Sequence, residues 1–320
     1  MGKRALITGI TGFVGSHLAE YLLKEGLEVI GTTRPRSKTE NIDHLKGQVT
    51  LVEADIRDYA SILGIIDKHF PFYIFHLAAQ SFVPMSWKAP SETLVTNIVG
   101  TANILEAIKF LEVGEDIKIL VAGTSEEYGL VSPDFLPIKE SCPLRPQSPY
   151  GVSKVAADLL TQQYTRSYNL RAVVTRAFNH TGPRRGEVFV SSNFAKQLVE
   201  IEKGIRDKIM VGNLTAKRDF SDVRDIVRAY WLAIEKGKSG EAYNICSGNA
   251  ISIEELLLKM VKMTNVLPKT IVEDIERLRP SDVPILVGDC SKFKEQTGWE
   301  PKIPLEKTLE DLVNYWREKV

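Results

Sequence analysis

The stretch Thr8-Gly9-Ile10-Thr11-Gly12-Phe13-Val14-Gly15 decides the fold. Before it, Arg4–Thr8 is a short apolar run with the pattern of a buried parallel strand. After it, residues near Ser16–Lys24 read as a helix, with Ala19, Tyr21, Leu22 and Leu23 on its apolar face and Gly26 as a stop. A glycine-rich turn between a strand and a helix is the context that a dinucleotide fingerprint requires. Gly9 permits the tight turn, Gly12 lets the backbone approach a pyrophosphate, and Gly15 permits close helix–strand packing. The phosphates would sit at the helix N-terminus, where unpaired N–H groups and the dipole favour anions. Thr11, Phe13 and Val14 belong to the same cofactor-binding turn. A turn with three glycines and only a structural role is the alternative.

Outward from this turn, strand patterns at Glu28–Thr32, Val49–Glu53, Tyr73–Leu77, Lys118–Ala122 and Ala172–Thr175 alternate with helical patterns at Tyr59–Lys68, Glu92–Phe110 and Ser153–Tyr168. Such alternation predicts an α/β, Rossmann-type doubly wound parallel sheet covered on both faces. It weakens after about Asn179. From there to Thr215 the chain reads as a loop, one helix at Val190–Lys203 and polar connections. A helix at Asp225–Glu235, a strand at Ala242–Ile245 and helices at Ile253–Met263 and Leu305–Lys319 follow. The expected division is a dinucleotide-binding domain over 1–178, also receiving about 220–248, and a smaller, interwoven α/β substrate lobe mainly over 179–320.

Lys plus Arg and Asp plus Glu both number 41, so the formal net charge is zero. That gives no electrostatic case for nucleic acid or an anionic membrane as partner. Cys142, Cys246 and Cys290 are scattered and form no CxxC pair, and the five histidines show no HExxH spacing, so no metal site is expected. The apolar runs fall short of a membrane span. With the glycine turn starting inside the first ten residues in place of a signal peptide, a cytoplasmic protein is the expectation.

The end of the second strand reads Gly31-Thr32-Thr33-Arg34-Pro35-Arg36, with two arginines and no acid. Arginine suits a ribose 2′-phosphate, so Arg34 points to NADP, with NAD bound through other contacts as the alternative. Asp55 and Ile56 follow the third strand, where they could meet the adenine. Leu77-Ala78-Ala79-Gln80 follows the fourth, where small side chains would let the dinucleotide lie close.

Tyr150 and Lys154 stand four apart at the start of a helix, on one face. An ammonium beside a phenol stabilises phenolate, which would lower the tyrosine toward working pH and make it a general base or acid. By itself the pair could be a surface ornament. Thr124 changes that, because a hydroxyl at the C-terminal end of a sheet strand lies where open α/β sheets bind ligands. Glu126, two residues on, could remove a proton adjacent to a ketone; a solvated loop acid is its bland reading, and Glu127 is expected to be one.

The TGxxGFVG turn, the Thr/Tyr/Lys set and the ending Gly298-Trp299-Glu300-Pro301 resemble the extended short-chain dehydrogenases. Ser148-Pro149-Tyr150-Gly151, Phe178-Asn179-His180, Gly182-Pro183-Arg184-Arg185-Gly186, Lys217-Arg218-Asp219 and Leu278-Arg279-Pro280-Ser281-Asp282-Val283 narrow the likeness to the GDP-mannose branch, its 4,6-dehydratases and 4-keto reductases. The resemblance covers essentially the whole length. It implies a GDP-sugar substrate, with Arg218 and Arg279 forking onto the diphosphate. It further implies that Asn179 bonds a sugar or phosphate oxygen, that Lys196 faces the nucleotide, that Asp282 accepts from ribose or base, and that Gln80, Ser81 and Val190 lie on the substrate side. Internal salt bridges are the alternative for each arginine, and His180 reads as a satisfied structural histidine. Family members commonly dimerise through two helices, here Glu92–Phe110 and Ser153–Tyr168, so a homodimer is expected, with a tetramer as the variant.

Two reactions fit. Thr124-Ser125-Glu126, Ala79-Gln80-Ser81 and Pro183-Arg184-Arg185-Gly186 look like the dehydratase, as does the basic Arg34–Arg36 loop. Ser86-Trp87, Glu126-Glu127-Tyr128-Gly129, Arg145-Pro146-Gln147-Ser148, Asp219-Phe220-Ser221-Asp222-Val223-Arg224-Asp225 and the length look like the reductase. The dehydratase is the leading reading. A UDP-sugar 4-epimerase, which needs no acid at position 126, and a non-catalytic dinucleotide-sensing module are the further alternatives.

Overall fold

The computed structural model describes residues 3–264, 266, 270–277 and 283–320. The chain opens with β1 (Arg4–Thr8), α1 (Phe13–Lys24), β2 (Glu28–Thr33), β3 (Val49–Glu53), α2 (Tyr59–His69) and β4 (Tyr73–His76). Next come α3 (Val83–Lys88), α4 (Pro90–Leu94), α5 (Gly100–Phe110), β5 (Lys118–Thr124), α6 (Pro149–Tyr168) and β6 (Arg171–Ala177). These strands and β10, introduced below, form a seven-stranded sheet in the order β10-β6-β5-β4-β1-β2-β3, with every pair parallel. The order reverses between β1 and β4, and a crevice opens outside the strand ends at such a reversal.

The sheet is covered on both faces, which is why its strands read as apolar runs. On one face Leu18 and Leu22 of α1 pack with Tyr73, Phe75, Phe293 and Trp299. On the other, Ile62 and Ile66 of α2 meet Ile104 and Ile108 of α5.

Three boundaries differ from the sequence reading, each in a way that shapes the site. α1 starts at Phe13, because Gly12 is itself the N-cap and no polar side chain marks the start. α6 starts at Pro149, capped by Ser148, whose Oγ accepts from the Gly151 N–H at 3.0 Å. A first-position proline and a serine cap suit a helix start, and they place Tyr150 in the first turn. The expected helix Glu92–Phe110 is interrupted by a π-helical turn at Val95–Val99. Such turns are rare and cluster at functional sites. Here the turn buries Asn97, which accepts from Gln80 N–H and donates to the Gln80 carbonyl and to Ser153 Oγ.

The larger miss lies beyond Ala177. β7 (Asn179–Thr181), α7 (Val190–Glu202), β8 (Lys208–Val211) and β9 (Lys217–Asp222) precede α8 (Val223–Lys236) and β10 (Ala242–Ile245). β11 (Ala250–Ser252), α9 (Ile253–Thr264), β12 (Thr270–Glu273), β13 (Ile285–Leu286), α10 (Ser291–Thr297) and α11 (Leu305–Lys319) complete the chain. β9 pairs with β7, β11 and β13, and β8 pairs with β12. The region expected to be loop thus holds β7 and β8, strands of three and four residues that are too short to show a period. α7, α9 and α11 close this smaller core with Phe194, Leu198, Leu256, Met260, Leu309 and Leu312. β10 and α8 return to the large sheet. No helix among the described residues is long and apolar enough to cross a membrane.

Two buried histidines tie this fold to pH. His76 sits between Thr8 Oγ1 at 2.8 Å and Thr101 Oγ1 at 3.1 Å, and burial lowers it from 6.5 to about 3. Burial and the Arg184 charge lower His17 to about 4. Both folded values lie below the unfolded one, so the unfolded chain binds more protons under acid conditions. Their stabilisation is present above pH 6.5 and is lost as pH falls toward 4 and then 3. Thermal midpoints measured from pH 7 to 4 are expected to fall less steeply for His76→Gln than for the unchanged protein; parallel slopes would contradict this.

Candidate active site

A cavity of about 550 Å³ runs along the strand ends. It is lined by Gly9, Thr11, Gly12, Phe13, Val14 and Gly15 of the turn, by Arg34, Asp55 and Ile56, and by Leu77, Ala78, Ala79, Gln80 and Ser81. Thr124, Glu126, Tyr150 and Lys154 line it as well, and so do Asn179 and Val190. The structure therefore brings together, around one cavity, residues from eight separate stretches of sequence.

The turn has the shape that a pyrophosphate needs. Gly9 has φ +77°, and a Cβ there would lie 3.0 Å from the Ala78 Cα. A Cβ on Gly15 would lie 2.3 Å from the Gly9 carbonyl oxygen. No side chain caps the N-terminus of α1, so its first N–H groups face the cavity wall formed by Gly12, Phe13 and Val14. Thr8 Oγ1 accepts from the N–H groups of Leu77 and Ala78, which locks β1 to the loop after β4.

Beyond the turn, Asp55 is held by Arg57, whose hydrogen bonds keep the carboxylate below its ordinary range. Arg34 forms no ion pair among the described residues, and its backbone N–H is received by Ser37 Oγ.

The expected catalytic set sits where β5 ends and α6 begins. Thr124 closes β5 and caps the short turn Ser125–Glu127. Its hydroxyl bonds the Tyr150 phenol. Burial raises Tyr150 well above the usual phenol range, the Glu126 charge adds to this, and the Thr124 bond opposes it. The sequence reading expects the neighbouring ammonium to lower Tyr150. In this structure burial and a carboxylate win instead. Lys154 donates to the Ala122 carbonyl at 2.7 Å, and burial lowers it to about 8 while Glu127 pulls the other way. Glu127 is the clear correction. It is wholly buried, not solvated, and its Oε1 accepts from the Thr124 N–H at 2.7 Å.

Some substrate residues are not gathered here. Lys196 stands outside the lining and is held by Glu187, Glu200 and the Trp316 ring. Arg218 is buried, donates to the Lys217 carbonyl and does not line the cavity. Arg279 and Asp282 lie outside the described residues. Conversely, Arg185 lines the cavity without a role assigned from sequence. Its guanidinium lies 3.5 Å from the Phe189 ring centroid and 4.9 Å from that of Phe13, and its buried Nε has no partner. Arg184, with φ +71°, goes instead to Glu20, His17 and the Asn41 carbonyl. Nothing in a tandem Arg-Arg says which one is structural. His180 bonds the Phe178 carbonyl through Nδ1, yet it also lines the cavity and stacks on Phe13. Among the described residues no group of three His, Cys, Asp or Glu could hold a metal ion.

The family model for GDP-mannose 4,6 dehydratase matches residues 6–312. The chain belongs to the GDP-mannose 4,6-dehydratase family. Within the wider set of relatives, it is 38% identical to GDP-mannose 4,6 dehydratase 2 of Arabidopsis thaliana, over 99% of this chain and 89% of that protein. It is 32% identical to GDP-6-deoxy-D-mannose reductase of Pseudomonas aeruginosa, over 100% of this chain and 99% of that one. The solved structure of RMD from Pseudomonas aeruginosa complexed with NADPH superposes with a TM-score of 0.86 at 31% identity, covering 99% of this chain and all of that one.

Gly15 carries a direct test of this geometry. Gly15→Ala is expected to cost about 1–3 kcal/mol in urea unfolding, because a methyl group must displace backbone. Gly64→Ala, in α2 with nothing within 4 Å of the new Cβ, is expected to gain roughly 0.5–1 kcal/mol. Equal effects at the two positions would refute the close packing.

Proposed function

We propose that the chain dehydrates GDP-mannose at C4–C6, using NADP held in this cavity. The observation that carries the reading is a carboxylate, Glu126, in the same cavity as Thr124, Tyr150 and Lys154, close enough for its charge to act on Tyr150. A keto reductase needs a proton donor at the carbonyl, whereas a dehydratase also needs a base beside it.

Bound in this cavity, NADP would supply a reversible hydride acceptor for the sugar. The turn from Gly9 to Gly15 would hold its pyrophosphate, Asp55, Ile56 and Leu77–Ala79 would border its adenosine side, and Arg34 would meet the 2′-phosphate. Arg185, over the Phe13 ring and without an ion pair among the described residues, would meet a phosphate or ring of the bound dinucleotide.

Tyr150 removes the proton of the 4-hydroxyl, with Thr124 bonded to the same oxygen. The buried Lys154 ammonium offsets the phenolate charge, which burial alone makes costly. The 4-ketone acidifies C5–H; Glu126 takes that proton, and the 6-hydroxyl leaves as water on receiving a proton from Glu126 or Thr124. Gln80, Ser81, Asn179 and Val190 would contact the sugar nucleotide. Diphosphate contacts by Arg218 and Arg279, a nucleotide contact by Lys196 and a ribose or base contact by Asp282 remain part of the proposal on the resemblance alone. In this reading 1–178, with about 220–248, binds the dinucleotide, and 179–320 mainly binds the sugar nucleotide. Val95, Val99, Val152 and Leu159, exposed on the two helices expected to pair, support a homodimer; a cytoplasmic location is proposed on the sequence reading alone.

One observation favours the second reading, reduction of GDP-4-keto-6-deoxy-mannose by NADPH. The chain spans 99% of the Pseudomonas reductase but 89% of the Arabidopsis dehydratase. The test is GDP-mannose with a trace of NADP, followed by mass. Loss of one water without net cofactor consumption is expected, and it should disappear in Tyr150→Phe and Glu126→Gln. No reaction from the folded protein would refute the proposal, and cofactor oxidation on addition of the keto sugar with NADPH would establish the reductase.

Arg185→Ala is expected to weaken dinucleotide binding roughly 10- to 100-fold, the range for a charge-assisted contact. Cofactor titration checks this, and an unchanged Kd would remove Arg185 from the site.

A further inference from the structure

Beneath the catalytic residues lies a buried ionic cluster that the reaction does not use directly. Glu127 and Asp158 are fully buried, and Arg176, also buried, faces both. Arg176 Nε donates to Asp158 Oδ2 at 2.7 Å and lies 3.4 Å from Glu127 Oε2. Its Nη1 is taken by the Tyr128 hydroxyl and the Glu140 carbonyl. Glu127 Oε1 accepts from the Thr124 N–H, while Glu127 Oε2, buried, has no hydrogen-bond partner.

Two buried carboxylates against one guanidinium leave a charge uncompensated, which is costly in a dry interior. Lys154 from α6 is the other cation nearby, but its ammonium is committed to the Ala122 carbonyl. The orphaned Oε2 shows how the cluster resolves. As an ionised oxygen it lacks a donor; as an O–H it becomes the donor that the Asp158 carboxylate accepts.

We propose that Glu127 and Asp158 hold one proton between them, and that Glu127 is a positioning residue that fixes Thr124 without placing negative charge beneath Tyr150. The titratable and charged groups facing the pair are Arg176 from β6, Lys154 and Tyr150 from α6, and Tyr128 from the end of its own turn. An ionised Glu127 would oppose phenolate formation at Tyr150 and absorb the Lys154 charge. Burial and the Asp158 charge both favour the protonated form. The catalytic part of this inference rests on the role proposed for Tyr150; the shared proton does not.

The test has two arms. In the first, the infrared spectrum of the full-length protein at neutral pH is expected to show a protonated-carboxyl stretch that is lost in Glu127→Gln and in Asp158→Asn. Its absence from the unchanged protein overturns the shared proton, whatever the enzyme turns over and even if neither variant folds. In the second, the pH profile of turnover is compared. Glu127→Gln mimics the protonated acid and is expected to leave the Tyr150 limb in place. Asp158→Asn drives the ionisation onto Glu127 and is expected to move that limb to higher pH. A limb that moves to lower pH in Glu127→Gln means an ionised Glu127 and overturns the proposal. A role in scaffolding alone changes stability and leaves both limbs where they are.

Discussion

The contact on which the rest depends is the packing of β1, α1 and the loop after β4 against one another without intervening side chains. Gly9 and Gly15 allow backbone to touch backbone, at distances where a methyl group would overlap the Gly9 carbonyl or the Ala78 backbone. That closeness brings the uncapped end of α1 to the reversal of strand order between β1 and β4. The crevice, the cofactor wall and the positions of β4 and β5 relative to the helix follow from it. Thr8 reinforces it by receiving two N–H groups from the loop after β4 while sharing a hydrogen bond with His76.

From this frame the chemistry is set by two chain ends that meet. β5 delivers Thr124 and then Glu126, and the first turn of α6 delivers Tyr150 with Lys154 one turn later. Burial alone disfavours the phenolate, and it also lowers the lysine that should support it. Below, Arg176 of β6 links Glu127 of this turn to Asp158 of α6. Asn97, turned inward by a π-helical turn, ties the Gln80 loop to Ser153 of α6, so the cofactor wall and the catalytic helix are joined by one side chain.

Much of this was legible in the sequence because it rests on local rules. The strand–turn–helix context of Gly9–Gly15, the alternation up to Thr175 and the i, i+4 pair Tyr150 and Lys154 all have short-range signatures, and they line the expected cavity. What was illegible depends on tertiary contacts. β7 and β8 are too short for a period to show. Glu127 looks like any loop acid until Arg176, 49 positions later in the chain, is seen beside it. Arg185 cannot be told from Arg184 until their partners are in place. Lys196 shows the converse: its helix is legible, but its contacts with Glu187 and Trp316 outside the lining are not.

The central claim is that one cavity oxidises C4, eliminates across C5–C6 and reduces C6 of the same sugar. GDP-mannose carrying deuterium at C4 tests it most directly. The account predicts a dehydrated product with the deuterium now at C6 and none lost to free cofactor. Unchanged substrate from a folded protein that binds NADP, or label transferred to released NADPH, would contradict it.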